Sequence, residues 1–227
     1  DTINSVENPT KTVVIPAIPQ QTGRNSVLPH TLRILIPGEV DTQIKVELRS
    51  TDGTFAPAGV DGRTIPAGKV IDIPLDVIMQ TGKFALVISA DRPLVASVFT
   101  KTIALGKSDF IWSTGVPELT TSTYSVTGLA PTLVFTGDQI SVNLELTNSK
   151  GLHQKVEVRG TDIATLRISD QIRAIAITKS SSKTFGAALV EHQVIRHKLV
   201  DMQMRIQSTA AWCESVATQA DAGRVGD

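Results

Sequence analysis

The sequence predicts a mainly β protein, made of antiparallel β-sandwich units of Ig-like type followed by a C-terminal amphipathic α-helix. Three observations predict it. Short runs alternate apolar and polar residues between glycine turns over the first three quarters of the chain. All eleven prolines lie at or before Pro131. After Gly160 only Gly186, Gly223 and Gly226 interrupt the chain, and the apolar spacing changes from two to alternating steps of three and four.

Taken in order, Ile44-Lys45-Val46-Glu47-Leu48 and Lys69-Val70-Ile71-Asp72-Ile73 put every second side chain on one face, as a half-buried strand requires. Asp52-Gly53, Asp61-Gly62 and Ala67-Gly68 punctuate them as turns. The run 84–101, FALVISADRPLVASVFTK, reads as two strands around an Asp91-Arg92-Pro93 turn. DFIWST and STYSV are further β-like segments, carrying Trp112 and Tyr124 between two units. A weak repeat supports two units: IKVELRSTDG (44–53) matches VNLELTNSKG (142–151), and IPAGKVIDIPL (65–75) resembles VRGTDIATLRI (158–168). The second unit keeps only QIRAIAIT after Ile168 and looks short of a hairpin. The expected domains are therefore a first β unit at 1–105, a truncated second unit at 106–170 and a helical tail at 171–227. In the tail Ile195, Leu199, Met202, Ile206, Thr209, Cys213 and Val216 fall along one helical stripe. Such a stripe needs a partner surface, so self-association through this helix is expected.

Composition limits the function classes. Lys+Arg and Asp+Glu both number 22, leaving no surplus positive charge to attract nucleic acid. No apolar run is long enough to span a bilayer, and the opening DTINSVENPT carries no export signal, so a soluble chain is expected, any leader having been removed or never present. Aromatics make up 4%, so Val, Ile and Leu must fill the core. Cys213 is the one cysteine, which excludes an internal disulfide and, on the apolar stripe, reads as buried and inert.

Complete sets of reactive groups are not visible. His192 and His197 are five apart and point about 140° apart around a helix, so they cannot share a zinc ion. The Asp-Gly turns lack calcium-loop spacing, and no metal site is expected. Trp112 and Tyr124 could form a ligand platform, but a rigid contact between units is the commoner use of such aromatics.

Two resemblances add to this. IPGEVDTQIKVELRSTDGTFAPAG, IPAGKVIDIPL, ADRPLVASVFTK and SDFIWSTGVPEL, within residues 11–170, resemble an uncharacterised family of large secreted actinobacterial proteins built from tandem β-sandwich units. That resemblance implies an extracellular or cell-envelope location, with a cytoplasmic one as the alternative, and a structural or interaction role without catalysis. SKTFGAALVEHQVIRHKLVDMQMRI, within residues 172–223, resembles the loop and long helix of the C-terminal helical domain of acyl-CoA dehydrogenases. It implies Thr184, Phe185 and Gln193 as flavin-contacting positions, and as an alternative function an FAD-dependent oxidoreductase segment at a subunit interface. Ser182 stands where that family has an arginine, which removes the charge that would meet the FAD pyrophosphate. The catalytic carboxylate of that family and its other domains have no counterpart here, so no catalytic residue and no bound cofactor are expected of the chain. The meeting of the two resemblances near residue 170 suggests a fusion or chimera.

Overall fold

A computed structural model describes residues 9–19, 30–75, 83–104, 107–126, 130–180, 184–188 and Thr209. These residues form two antiparallel sheets. The first contains β1 (Thr10–Pro19), β2 (His30–Leu35), β3 (Thr42–Ser50), β4 (Gly53–Phe55), β5 (Thr64–Ile65), β6 (Val70–Leu75), β7 (Lys83–Ala104) and β8 (Lys107–Thr114). The second contains β9 (Ser122–Ser125), β10 (Thr132–Asn148), β11 (His153–Arg167), β12 (Ile172–Ser180) and β13 (Phe185–Ala188).

The first sheet is organised around β7, a single strand of 22 residues. Its first half pairs with β1 and β3, and its second half pairs with β2 and β8. The expected Asp91-Arg92-Pro93 turn is therefore corrected: β3 pairs as far as Ala90, β2 begins at Val95, and the strand passes through the three exposed residues between them. Pro93 has no N–H to give to a ladder, so it is tolerated where one set of partners gives way to the next. Because one strand belongs to both halves, the path β4-β3-β7-β2-β6 is continuous. The Ig-like expectation of two separate sheets is corrected in the same way. Sheets whose corner is made by a strand changing partners wrap around one core.

Alternation fills that core. In β3, Ile44, Val46 and Leu48 are buried while Gln43 and Lys45 are exposed. They meet Ile15, Leu32, Ile34, Ile73, Leu86, Ile88 and Val98 from the surrounding strands, and Phe84 is the only aromatic in the cluster. The expected turns are present: Gly53, Gly62 and Gly68 adopt φ of 119°, 73° and 68°, conformations that side chains disfavour.

The second sheet has the order β11-β10-β12-β9, with β13 alongside the first half of β10. The first pair of repeat segments is alike in structure, each a strand leading into a hairpin: Val142, Leu144 and Leu146 are buried as Ile44, Val46 and Leu48 are. The second pair differs. Residues 65–75 lie in β5 and β6, whereas 158–168 continue β11 along β10.

The expected start of a helical tail at 171 is also corrected. β12 pairs with β10 from Val142 to Asn148 and buries Ile172, Ile175 and Ile177, and β13 pairs with it from Leu133 to Thr136. The sheet thus continues to Ala188. The helix expected beyond it, with Cys213 and the histidines at 192 and 197, lies outside the described residues; of the apolar stripe only Thr209 is described, and it is exposed.

The two sheets meet through strands buried on both faces. Val14–Ile18 and Leu133–Gly137 are continuous buried runs, and Ala17, Val134 and Ile163 pack together between the sheets. Val116 donates its N–H to the Val14 carbonyl at 2.9 Å, and Arg49 reaches Asp138 at 2.8 Å. No helix among the described residues is long and apolar enough to cross a membrane.

Candidate interaction site

Along β8, Ser113 turns inward and is buried, while Phe110, Trp112 and Thr114 turn outward. β8 pairs with the second half of β7 in a register that sets Trp112 opposite Phe99 and Thr114 opposite Ser97. On its other side this half of β7 pairs with β2, placing Thr31 opposite Phe99 and Arg33 opposite Ser97. β2 in turn places Arg33 opposite Asp72 of β6. Four strands therefore present one outer face, with Asp72, Arg33, Ser97 and Thr114 in one row and Pro74, Thr31, Phe99 and Trp112 in the next. Adjacent strands set row neighbours about 4.8 Å apart, and same-face positions along a strand are about 7 Å apart.

Phe99 is in contact with both other rings on this face. Phe99 and Phe110 stack at 5.7 Å with 28° between planes, and Phe99 meets Trp112 at 5.0 Å with a 57° tilt. The Arg33 guanidinium lies 5.1 Å from the centre of the Trp112 ring and grips Asp72 by two hydrogen bonds, from Nε and Nη2, each 2.7 Å long. The pair is mutually stabilising: hydrogen bonding to Arg33 lowers the Asp72 pKa and hydrogen bonding to Asp72 raises that of Arg33. Both side chains are 47% exposed, so the ion pair contributes little to stability but fixes the orientation of its donors and acceptors. Phe110 is 40% exposed. An exposed phenyl ring stacked on a second ring across paired strands is rigid apolar surface with a polar border.

The rigid contact expected of Trp112 is present on this face, against Phe99 and Arg33, because β8, expected to open the second unit, pairs with β7 of the first sheet. Trp112 belongs to this outer face, and Tyr124 stands 44% exposed on β9, at the edge of the second sheet opposite Ile175. The sheets join instead through β1, β10 and β11. Phe99 and Arg33 were not singled out in the sequence. Alternation around Trp112 indicates which side chains share its face of β8, but only the pairing of β7 with its neighbours brings in the others.

The residues implied by the flavoenzyme resemblance lie elsewhere. Thr184 is 1% exposed, and its carbonyl accepts the Leu119 N–H at 2.7 Å. Phe185 is half-buried on β13, paired with Thr136 on one side and bridged to Glu118 on the other. Gln193 lies outside the described residues. Phe185 is thus held from both sides as sheet, with buried Thr184 bonded to Leu119 just ahead of it, and a flavin could meet Thr184 only if this segment moved. Among the described residues no group of three or more His, Cys, Asp or Glu side chains could hold a metal ion.

Residues 1–168 match the model of a family of unknown function, DUF5719. The chain belongs to the DUF5719 family. Both the first sheet and most of the second fall within this match. In the DUF5719 chain residues 170–226 match a different family model, the C-terminal domain of acyl-CoA dehydrogenases, so the sequence is in two parts although the second sheet crosses their boundary. No curated protein and no solved structure matches the DUF5719 chain.

Proposed function

We propose that this DUF5719 chain is a non-catalytic interaction module of an exported or cell-envelope protein, and that the outer face of β6, β2, β7 and β8 is its contact surface. The observation that carries this reading is the contiguous Phe99–Phe110–Trp112 cluster, partly exposed and backed by hydrogen-bonded strands. The core does not need these rings, since Leu32, Ile34, Ala96 and Val98 already fill it from the opposite face of the same strands. Partly exposed rings without a core role are the usual mark of a recognition surface. The exported setting is supported by the resemblance to secreted tandem-sandwich proteins.

The test is sedimentation of the full chain with the cell-envelope fraction of the organism that encodes it. The wild type should pellet with the envelope, and Phe110→Ser should stay in the supernatant while melting at the same temperature. Equal pelleting of both proteins, or of neither, would overturn the reading.

A second reading is favoured by the match at 170–226: a segment that contributes to a flavin or subunit interface. Release of β13 from β10 would be required first. Absorbance in the flavin bands after incubation with FAD and gel filtration tests it, and stoichiometric retained flavin would support this second reading over the first.

A further inference from the structure

We infer that the aromatic face binds a neutral oligosaccharide, an inference that rests on the interaction-module reading above and names the ligand of the same surface. The argument is one of complementarity. A sugar ring has an apolar C–H face and an edge of hydroxyl groups, so its receptor must combine a flat π surface with fixed donors and acceptors close beside it. Phe99 and Phe110 supply the π surface, their planes 28° apart at 5.7 Å, and Trp112, tilted 57° from Phe99 at 5.0 Å, borders it. Arg33 stands one row and one strand from Phe99, and its guanidinium lies over the Trp112 ring at 5.1 Å, so a sugar stacked on Phe99 and Phe110 carries its edge hydroxyls toward Arg33 and, one strand further, Asp72. The fork between them commits two N–H groups of Arg33, and three of the five guanidinium donors remain beyond that pairing. The Asp72 carboxylate likewise retains acceptor capacity, so the pair offers donors and acceptors side by side, as vicinal hydroxyls demand. Ser97 and Thr114 continue the same row with hydroxyl groups.

Charge selects among ligands. Arg33 is neutralised by Asp72 in a closed pair, Lys101 opposite Phe110 adds one cation to the same face, and the chain as a whole carries equal numbers of acidic and basic residues, so the surface holds no cluster of positive charge to select an anionic polymer. A lipid surface would bury aliphatic side chains and leave an ion pair desolvated, which is costly. A neutral polyol keeps the ion pair hydrated by its own hydroxyls while covering the rings.

The experiment uses the full chain carrying Trp212→Phe, so that Trp112 is the only tryptophan, and titrates it with cellohexaose, chitohexaose and laminarihexaose, with a heparin hexasaccharide as the anionic comparison. At least one neutral hexasaccharide should produce a saturable change in Trp112 emission, and Arg33→Ala and Phe110→Ser should each weaken its Kd tenfold or more without changing the melting temperature. In parallel, envelope treated with periodate should lose the ability to pellet the chain, and envelope treated with protease should keep it. Silence of all three neutral sugars together with retention by periodate-treated envelope would overturn the inference. Loss on protease treatment alone would leave the interaction module standing and remove the saccharide. A response to heparin only would also remove it, by showing that charge governs binding.

Discussion

His30 gives the sharpest link between this fold and a measurable pH dependence. It is 3% exposed, its Nδ1 lies 2.8 Å from the buried Thr100 hydroxyl, and its ring meets Phe84 edge-on at 5.3 Å. Burial penalises the imidazolium and pushes the pKa down from 6.5 to about 4. The folded protein therefore binds the proton more weakly than the unfolded chain, and the stability gained by keeping this histidine neutral is complete above the unfolded pKa and lost as pH falls from 6.5 towards 4. Linkage between those two values gives a loss of about 2 kcal/mol from pH 7 to pH 5, and about 3 kcal/mol over the whole window. The carboxylates of Glu47 and Asp72 have lowered pKa values, so their contributions are present above the unfolded values of 4.5 and 3.8 and are lost below them, outside the interval from pH 7 to 5. Urea unfolding at pH 7, 6 and 5 measures the slope. His30→Asn is the control, since its amide can occupy the Nδ1 position and bond Thr100 but does not titrate. Its stability should be lower at pH 7 because the smaller side chain leaves space, yet nearly level from pH 7 to 5. Equal slopes in the two proteins would refute the argument, as would a His30 resonance titrating near 6.5 in the folded state.

Other substitutions probe the packing. Leu86→Ala removes a fully buried side chain near the start of β7, between Leu48 of β3 and Ile15 of β1, and should cost about 2–5 kcal/mol in urea unfolding. Gly186→Val places a Cβ 2.8 Å from Leu119 Cδ1 and 3.0 Å from Phe135 Cδ1, so thermal melting should show a loss of about 1–3 kcal/mol. Unchanged melting would mean that β13 does not dock on β10 in this register. Ser113→Ala removes a buried hydroxyl with no hydrogen-bond partner among the described residues, and should leave the melting temperature unchanged or raise it by the equivalent of up to about 1 kcal/mol.

The extent to which the sequence could be read follows from the range of the forces involved. Alternation is local, so the strand faces of β3 and β10 and the glycine turns at residues 53, 62 and 68 were legible without coordinates. Asp91-Arg92-Pro93 has turn chemistry in isolation, but the partners on either side of it, from β1 and β3 to β2 and β8, hold one extended strand through it. The runs at 14–18 and 133–137 do not alternate and so carry no strand-face signal; buried on both faces, they are where the sheets join. For the candidate site, Trp112 was visible as an aromatic on a β-like segment, whereas Arg33, Asp72 and Phe99 depend on three separate strand registers that no local pattern records.

The same distinction explains why the sheet ignores the boundary between the two family matches. A match records which residue types follow one another, but β10 must satisfy its backbone groups whatever the origin of the neighbouring sequence. Ending the sheet at residue 168 would strip β10 of β12 along Val142–Asn148 and of β13 along Leu133–Thr136, leaving a long row of amides and carbonyls open beside buried Val142, Leu144 and Leu146. Residues 172–180 complete the ladder, and a register shift between Thr147 and Asn148 lets Ile172 join Ile175 and Ile177 in the same buried cluster as Val142, Leu144 and Leu146. The segment that resembles a flavoenzyme loop begins where this need is still unmet. Thr184 and Phe185 are drawn into the sheet by the backbone of β10 and by Glu118 and Leu119, and the flavin reading requires a ligand able to compete with those hydrogen bonds.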